Sequence, residues 1–423
     1  FVMKFISSRN QAEPVTASQA ILAGIAPDGG LYVPQSFPQF THDDFSCEQN
    51  LSAIAVKLLG KFLAGDPLQT ELAGICQSAF DLPVPVKPLN DDLSILELFH
   101  GPTAAFKDFG ARFLAQCFGK IPTEQKRTIL VATSGDTGGA VGCAFEHSTS
   151  AKVIILYPKG RVSPLQQQQL TCWGDNVTAL QVDGDFDDCQ HLVKAAFADK
   201  GLQEKYNLAS ANSINIARLL PQMSYYAYAA LRHFKTSGQV ANFIIPTGNM
   251  GNGMACLWAR ACGLPIGKVI FASNANHSLY DYFANGEMLP HPSIATLANA
   301  MDVGNPSNFE RFAMDQAFAE NTMCQTISDQ QIKQSIIDGF SQYDQTWCPH
   351  TACGFVAWQN LPEETRKLHW YLVATADSYK FKEIVEPLIG KVISVPASLF
   401  DLQSRASNFI AIKPELSALA EVL

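Results

Sequence analysis

Charged residues are scarce in this chain, and basic ones are the minority among them. Only 16% of the 423 residues are charged, and 30 lysines and arginines face 39 aspartates and glutamates, for a net charge of −9. Because a nucleic-acid-binding surface needs an excess of basic residues, this composition argues against a nucleic-acid partner. An anionic small molecule would have to be attracted by groups close to its own site.

Long apolar runs and paired cysteines are also missing. A membrane helix needs roughly 18 uninterrupted apolar residues, and the apolar runs here are of strand length, so we expect no membrane partner. The 11 cysteines include no C-x-x-C pair and the 9 histidines are dispersed, which disfavours a disulfide framework and a metal site. We therefore expect a cytoplasmic protein that has reduced thiols and no metal.

A proline-rich stretch at residues 82–88 separates two parts of the chain with different patterns. Before it, short helical patterns alternate with turns. After it, β-branched runs alternate with segments of helical period, which is typical of parallel sheets covered on both faces. We predict an N-terminal domain over residues 1–88 and an α/β region over 89–423. That region should form two doubly wound lobes, the smaller spanning roughly residues 128–235 and the larger the remainder.

The alternation predicts individual elements beyond residue 88. Strands are predicted at residues 128–132, 153–157, 179–182, 243–245, 269–272 and 371–374. Helices are predicted at residues 108–118, 137–147, 187–197, 216–234 and 253–262. The only biased run, four glutamines at residues 166–169, is too short to indicate disorder.

One lysine follows a turn and precedes an apolar-periodic segment. Lys107 lies between Phe106 and Asp108, and Phe109 is close behind. A lysine amine is a useful nucleophile only when its pKa is lowered, by partial burial or by a nearby cation, and apolar neighbours favour burial. The chemistry that this predicts is a Schiff base with the aldehyde of pyridoxal phosphate. The same residues also fit a solvated lysine at a helix start.

Two glycine-rich loops, at residues 132–139 and 245–253, each follow a predicted strand and precede a predicted helix. Glycines let the main chain approach a ligand, and N–H groups at the following helix start hold an anion. Neither loop has the spacing of a nucleotide P-loop or of a dinucleotide fingerprint, so a nucleotide-binding protein is the weaker alternative. Each loop alone also fits an ordinary capped turn. Both would lie at the carboxyl ends of strands, where open α/β sheets bind ligands.

A third polar group spans residues 210–218. Asn212 or Ser213 is predicted to cap the helix that follows. Arg218, about a turn into that helix, has the planar fork that suits a phosphate group. The alternative is a capped helix with a solvent-exposed arginine.

Several segments together resemble one family. Residues 98–110, around Lys107, closely resemble the pyridoxal-lysine motif of threonine synthases in their longer form, found in enteric bacteria and fungi. The likeness covers almost the whole chain and includes residues 24–34, 133–138, 246–252, 304–311 and 349–352.

The resemblance implies a fold-type-II pyridoxal phosphate enzyme, related to the tryptophan synthase β chain, with an added N-terminal domain. It implies conversion of O-phospho-L-homoserine and water into L-threonine and phosphate by γ-elimination and β-hydration. Lys107 would be the catalytic residue. The implied cofactor-binding residues are Lys107, Asp136, Gly248, Asn249, Met250, Gly251, Asn252 and Thr375. The implied substrate-phosphate residues are Thr133, Ser134, Thr137, Asn212, Ser213 and Arg218.

The resemblance also leads to an expectation about how two residues affect the electron-withdrawing power of the cofactor ring. The resemblance places Asp136 near the phenolic oxygen and Thr375 at the pyridine nitrogen. A neutral hydroxyl at that nitrogen weakens the electron sink, which suits elimination and replacement better than transamination. The sequence departs from the family where Asp377 and Ser378 replace the usual His-Pro, and where Met250 replaces a common phenylalanine.

Three alternatives share parts of this site. A phospho-lyase acting on a related phosphorylated amino acid would keep Lys107 and both loops but release a keto acid and ammonia. A serine or threonine dehydratase would not need the group formed by Asn212, Ser213 and Arg218. A pyridoxal-binding protein without turnover would bind the cofactor and leave phosphohomoserine unchanged. The residues do not decide between a monomer and a homodimer.

Overall fold

The computed structural model describes residues 2–48 and 50–423. The strands are β1 (Phe5–Ser7), β2 (Tyr32–Pro34), β3 (Val86–Pro88), β4 (Leu93–Glu97), β5 (Arg127–Ala132), β6 (Ala151–Pro158), β7 (Val177–Val182), β8 (Leu208–Ser210), β9 (Ala241–Pro246), β10 (Ile266–Ser273), β11 (Thr322–Thr326), β12 (Trp370–Ala374) and β13 (Ile410–Ile412).

The α-helices are α1 (Ala17–Ala23), α2 (Leu51–Phe62), α3 (Leu68–Ala79), α4 (Lys107–Lys120), α5 (Asp136–Phe145), α6 (Pro164–Thr171), α7 (Phe186–Ala198), α8 (Lys200–Tyr206), α9 (Ile216–Leu219), α10 (Met223–Ser237), α11 (Gly251–Ala261), α12 (Ser278–Asn285), α13 (Phe309–Phe312), α14 (Asp329–Tyr343), α15 (Pro349–Gln359), α16 (Glu363–Arg366), α17 (Lys382–Ile389), α18 (Phe400–Gln403) and α19 (Leu416–Val422). Short 3-10 helices span His42–Phe45, Leu220–Gln222, Asn299–Met301, Gln316–Ala319, Ser378–Phe381 and Ala397–Leu399.

Two mainly parallel sheets carry the fold. The six-stranded sheet has the order β11-β10-β9-β12-β4-β3, in which β3 and β4 pair antiparallel and the other pairs are parallel. The five-stranded sheet has the order β13-β7-β6-β5-β8 and is parallel throughout. Strands β4, β9 and β12 are buried along their whole length, as expected where helices cover both faces. The α/β class with two doubly wound lobes is confirmed.

All six predicted strands are present, and each is at least one residue longer than predicted. The predicted helix at 216–234 is wrong as one element: α9 and α10 are separated by the 3-10 helix Leu220–Gln222. Pro221 is the cause, because it has no N–H to donate and its ring clashes with the carbonyl one turn back. Strand β4 was not predicted, since its polar Ser94 and Glu97 interrupt the apolar pattern.

The N-terminal residues form the antiparallel pair β1-β2 and the helices α1 to α3. Helix α3 packs on α4, and α2 packs on α10. The predicted domain limits remain a prediction. Strand β3, at the end of the predicted N-terminal domain, pairs with β4 in the six-stranded sheet. Strand β13, near the end of the chain, pairs with β7 in the five-stranded sheet. Within the described ranges, none of the helices combines the length and apolar character that crossing a membrane requires.

Candidate active site

One cavity collects every residue proposed for the site. It has a volume of about 1310 Å³, part of it open to solvent. The predicted residues that line it are Lys107, Thr133, Ser134, Asp136, Thr137, Asn212, Ser213, Arg218, Gly248, Asn249, Met250, Gly251, Asn252 and Thr375.

Strand order explains why residues so far apart in sequence meet here. Strands β4, β9 and β12 are neighbours and parallel, so the segments that follow them leave from the same edge of the six-stranded sheet. These segments bring Lys107, the loop of residues 247–250 and Thr375. Strands β5 and β8 are parallel neighbours in the other sheet, and they bring the loop of residues 133–135 and the 211–215 segment. The two sheet edges face one cavity.

A tight turn sets the position of Lys107 at the start of α4. The Asp108 carboxylate accepts hydrogen bonds from the Thr103 backbone N–H (2.9 Å) and hydroxyl (2.6 Å). Gly101 is needed there because a Cβ at that position would lie 2.8 Å from the Cβ of Asp108. The acid and the glycine next to the lysine therefore shape the turn.

The segment after β12 supports the lysine turn from the other side. The Phe106 N–H donates to the Thr375 carbonyl (2.8 Å), and the Asp377 N–H donates to the Ala104 carbonyl (3.0 Å). The Asp377 carboxylate accepts from the Tyr379 N–H (2.8 Å) and caps the 3-10 helix Ser378–Phe381. The departure from the family pattern at Asp377 is thus accommodated by a side-chain cap.

The Lys107 amine is the nucleophile candidate, and its surroundings suit that task. Its side chain is partly buried and lies 5.8 Å from the centre of the Phe106 ring. Burial lowers the pKa of the Lys107 amine to about 8, with Arg218 and Lys380 adding to the effect and Asp136 opposing it. With that pKa, about a tenth of the amine is unprotonated at pH 7, far more than for an ordinary lysine.

A buried ion pair lies beside that amine. Asp136 and Lys380 are 5% and 0% exposed, and their charged groups are 2.7 Å apart. Burial alone would raise the pKa of Asp136, but Lys380 and Lys107 hold it below its usual range. The carboxylate is therefore ionised at neutral pH. The Lys380 Nζ also donates to the Thr103 carbonyl (2.9 Å), which joins the pair to the lysine turn.

The loop after β9 offers hydrogen-bond donors to an anion. Asn252 is buried; its Oδ1 accepts from the Tyr225 and Tyr226 hydroxyls (2.6 and 2.8 Å), and its Nδ2 has no partner among the described residues. The loop ends at the N-terminus of α11, whose dipole favours a negative charge. Met250 adopts a left-handed conformation (φ 63°) at the turn into this helix. An unpaired buried donor beside a helix N-terminus fits a phosphate group.

Asn249 connects this loop to the polar segment after β8. Its Nδ2 donates to the Ser213 hydroxyl (2.6 Å), and its Oδ1 accepts from the Ser307 N–H (2.6 Å). The Asn308 Nδ2 donates to the Asn249 carbonyl (2.9 Å). The loop and the Ser213 segment therefore hold each other in place.

Arg311 joins the same network to the N-terminal part of the chain. It is 1% exposed, and it donates to the carbonyls of Tyr32 (2.8 and 3.0 Å) and Ile214 (2.7 Å) and to the Asn308 Oδ1 (2.7 Å). Burial lowers the pKa of Arg311 to about 9. One side chain thus ties strand β2, the segment before α9 and the support of Asn249.

Arg311→Ala is expected to lower the free energy of unfolding, since each buried acceptor left unpaired costs about 1–3 kcal/mol. Urea unfolding of the cofactor-free protein measures the loss. The matched control is Arg9→Ala, because Arg9 is 52% exposed and pairs with Glu310 at the surface (3.0 Å), a contact worth about 1 kcal/mol or less. Equal losses in the two variants would contradict the connecting role of Arg311.

Arg218 is buried, so the alternative of a solvent-exposed arginine is wrong. It is 2% exposed; its Nη1 donates to the Ala211 carbonyl (2.6 Å), and its Nε has no partner among the described residues. Burial lowers the pKa of Arg218 to about 10. A buried guanidinium that lines a cavity and has no carboxylate partner among the described residues can hold an anion there.

The helix cap in this segment differs from the prediction. Asn215 caps α9 by accepting from the Ala217 N–H (3.0 Å), so the prediction that Asn212 or Ser213 is the cap is wrong. The Asn215 Nδ2 also donates to the Ser210 carbonyl (2.9 Å), which holds this side chain at the start of the helix. Asn212 is left at the cavity wall, with an Oδ1 that has no partner among the described residues.

The Thr133 hydroxyl is hydrogen-bonded to backbone groups of its own loop. The hydroxyl donates to the Gly135 carbonyl (3.0 Å) and accepts from the N–H groups of Gly135 and Gly138 (3.1 and 3.0 Å). The side chain therefore shapes the loop at the start of α5, and its contact with a substrate phosphate stays a prediction. Ser134 on the same loop and Thr137 in the first turn of α5 also line the cavity.

The sequence analysis assigned no role to three side chains near Lys107, namely His350, Lys380 and Gln166. His350 lines the cavity, and its Nε2 accepts from the Ala300 N–H (3.0 Å). Burial lowers the pKa of His350 to about 4, so the ring is neutral. Lys380 and Gln166 both contact Asp136. His350 lies in a segment that resembles the family, whereas the buried Gln166 had no signal beyond a glutamine run.

No group of three or more possible metal ligands occurs among residues 2–48 and 50–423. The site instead combines a lysine of lowered pKa, a neighbouring ionised carboxylate and an anion-binding loop at a helix N-terminus, which are the parts that pyridoxal phosphate requires. The sequence profile described as "Pyridoxal-phosphate dependent enzyme" matches residues 80–373. The protein is a pyridoxal-phosphate-dependent enzyme of fold type II.

More specific comparisons narrow the family. The profile described as "Threonine synthase N terminus" matches residues 4–80. Threonine synthase of Serratia marcescens is 38% identical over 406 residues, covering 94% of this chain and 93% of its own length. The chain belongs to the threonine synthase family, whose members are pyridoxal-phosphate-dependent lyases.

Solved structures agree with that membership. The crystal structure of threonine synthase from Escherichia coli is similar with a TM-score of 0.93 and 34% identity, over 99% of each chain. The structure of threonine synthase from Brucella melitensis with bound pyridoxal phosphate has a TM-score of 0.90 and 32% identity, over 99% of this chain and 98% of that one.

Proposed function

We propose that this enzyme converts O-phospho-L-homoserine and water into L-threonine and phosphate. The observation that carries the proposal is Arg218, a buried guanidinium that lines the cavity of Lys107 and forms no ion pair with a carboxylate among the described residues. A substrate with a distal phosphate would supply the counter-charge that this guanidinium lacks. A dehydratase substrate has no such group and would leave the buried cation without an anion. The cytoplasm remains the expected compartment.

The cofactor would be held by groups from both sides of the lysine turn. The proposed ligands of its phosphate are the N–H groups and side chains of Gly248, Asn249, Met250, Gly251 and Asn252. Asp136 is proposed for the phenolic oxygen and Thr375 for the pyridine nitrogen. The unpaired Nδ2 of Asn252 is the feature of the structure that best fits the phosphate.

Pyridoxal phosphate, when bound, supplies the electron sink that makes protons next to the substrate's amine-bearing carbon removable. Lys107 is the proposed general base, since an amine with a pKa of about 8 can both take and return a proton near neutral pH. It would take protons from Cα and Cβ and return protons to Cγ and Cα. The Cγ–O bond breaks, phosphate leaves with the electron pair, and water adds at Cβ.

The proposed grip on the substrate phosphate combines Arg218 with the two neighbouring loops. Thr133, Ser134 and Thr137 come from the start of α5, and Asn212 and Ser213 come from the segment after β8. The α5 N-terminus adds N–H groups and a favourable dipole. Departing phosphate would remain between these groups, close to Cβ, where water must add.

Product analysis of the holoenzyme tests the proposal against its closest alternative. With O-phospho-L-homoserine we expect L-threonine and phosphate in equal amounts. A keto acid and ammonia would identify a phospho-lyase instead. A yellow protein that leaves phosphohomoserine unchanged would contradict both.

Arg218→Ala is expected to raise KM for phosphohomoserine and to lower kcat/KM by about 10- to 150-fold, because a charged bidentate phosphate contact is worth about 1.5–3 kcal/mol. Inhibition by inorganic phosphate should weaken in parallel. Arg232→Ala is the control, since Arg232 lies exposed on α10 beside Tyr228. An unchanged kcat/KM in Arg218→Ala would contradict the proposed substrate grip.

A further inference from the structure

A glutamine from the four-residue glutamine run is buried next to the catalytic cavity. Gln166 lies on α6 and is 1% exposed. Its Nε2 donates to the Asp136 Oδ1 (3.1 Å), and its Oε1 accepts from the Asn299 Nδ2 and from the Ser163 N–H (2.9 Å each). Both polar atoms of the Gln166 amide group, Nε2 and Oε1, therefore have hydrogen-bond partners.

The hydrogen-bond partners determine which end of the amide faces Asp136. The Ser163 N–H can only donate, so the atom opposite it must be the oxygen of Gln166. The amide nitrogen must then face Asp136. A carboxylate oxygen is an acceptor when ionised, which is consistent with that orientation.

Two donors hold the same oxygen of Asp136. The Lys380 Nζ lies 2.7 Å from Oδ1, and the Gln166 Nε2 lies 3.1 Å from it. Oδ1 is the oxygen that Lys380 approaches most closely and the oxygen that Gln166 bonds, and Asp136 lines the cavity. The charged or titratable groups around this carboxylate are Lys380, Lys107 and His350. The arrangement anchors the carboxylate through Oδ1.

Asn299 extends this contact to the segment beside the cofactor loop. It begins the 3-10 helix Asn299–Met301, and the next residue, Ala300, donates to His350. Met301 lies against Gly248, where an added Cβ would be 2.8 Å from the Met301 Cα. Gln166 thereby connects Asp136, on the five-stranded side of the cavity, to residues on the six-stranded side.

We propose that Gln166 is a positioning residue that holds the Asp136 carboxylate with Oδ2 turned toward the cofactor and the Lys107 nitrogen. The inference rests on the proposed roles of Asp136 and Lys107. The Nε2–H dipole of Gln166 also offsets part of the negative charge of the Asp136 carboxylate. Loss of that dipole leaves a stronger negative potential at the Lys107 nitrogen, which favours its protonated form.

The test is Gln166→Met, which keeps the length of the side chain and removes both polar ends. The readout is the visible absorbance of the bound cofactor, titrated with pH in the absence of substrate. We expect the midpoint to rise by about half a pH unit or more. We also expect kcat to fall several-fold while KM for phosphohomoserine changes by less than about twofold, since Gln166 does not contact the substrate.

Gln169→Met is the matched control. Gln169 lies on the same helix, is also 1% exposed, and donates to the Thr103 carbonyl (3.0 Å) and not to a carboxylate. We expect it to lower thermal stability to a similar extent and to leave the absorbance midpoint in place. An equal midpoint shift in both variants would overturn the inference, as would an unchanged midpoint in Gln166→Met.

If Gln166→Met does not fold, Asn299→Ala provides the milder variant, because it removes one donor that orients the amide. A smaller rise of the midpoint supports the inference, and no rise overturns it. A wild-type protein without a cofactor absorbance band would contradict the proposed role of Lys107 and this inference with it. Failure of Gln166 alone, with the band present, leaves the proposed function standing.

Discussion

Lys107→Ala is expected to abolish covalent attachment of pyridoxal phosphate and to reduce turnover by at least about a thousand-fold, because the same amine is proposed to anchor the cofactor and to move protons. Absorbance should lose the band of the bound cofactor. Borohydride reduction of the wild-type holoenzyme, followed by peptide mass spectrometry, should place the adduct on Lys107.

The structure supplies two controls for this experiment. Lys120→Ala changes the last residue of the same helix, where the side chain pairs with Glu71 at the surface (2.9 Å), and it should retain the adduct and full activity. Lys380 is the other buried lysine near Asp136. An adduct on Lys380, or full activity in Lys107→Ala, would contradict the assignment.

Lys380→Met is expected to lower the free energy of unfolding by about 3–5 kcal/mol, since it leaves the buried Asp136 carboxylate without its cation. Urea unfolding of the cofactor-free protein measures this loss without a contribution from cofactor binding. Lys382→Met is the control: Lys382 is partly exposed and lies over the Tyr379 ring (5.0 Å), so a loss of less than about 1 kcal/mol is expected.

The stability lost in Lys380→Met should also depend on pH, in a direction that follows from the pKa of Asp136. In the wild-type protein the pKa of Asp136 is held below its usual range, so its ionised form stabilises the fold above about pH 4. That contribution is lost as the pH falls through the lowered pKa. Without Lys380, burial dominates and raises the pKa of Asp136. The gap between Lys380→Met and wild type should then narrow as the pH is lowered toward 4.

The double variant Asp136→Asn with Lys380→Met separates charge from packing. It removes both charges, so it should be more stable than Lys380→Met alone. A double variant as unstable as the single one would show that the loss comes from packing around residue 380 and not from the unpaired carboxylate.

Local patterns predicted six of the eleven strands in the two mainly parallel sheets. Strand β9 is a short apolar run, and the glycine-rich loop and helix that follow it have clear signals in the sequence. Strand β13 had none, because three residues carry little pattern and its partner β7 lies more than 200 positions earlier. Pairing over such a distance depends on the assembled lobe and not on local propensity.

The site shows the same division. The Lys107 turn and the 247–250 loop are contiguous motifs, so their chemistry could be proposed from residue types alone. The sequence left open whether Arg218 binds a ligand or lies at the surface, and only its burial in the structure decides between these two interpretations. Lys380 and Gln166 were missed because their importance comes from contacting Asp136, which is separated from Lys380 by 244 positions and from Gln166 by 30 positions.

The sequence by itself determined the class of chemistry: a lysine after a shaped turn, two anion-binding loops and a parallel α/β scaffold to carry them. Only the tertiary structure decided which charges are buried and which atoms are left unpaired, as at Asp136, Arg218 and Asn252. The reason is physical. Burial and hydrogen-bond satisfaction depend on neighbours that are brought together by strand order, and a pKa depends on those neighbours more than on the residue's own position in the chain.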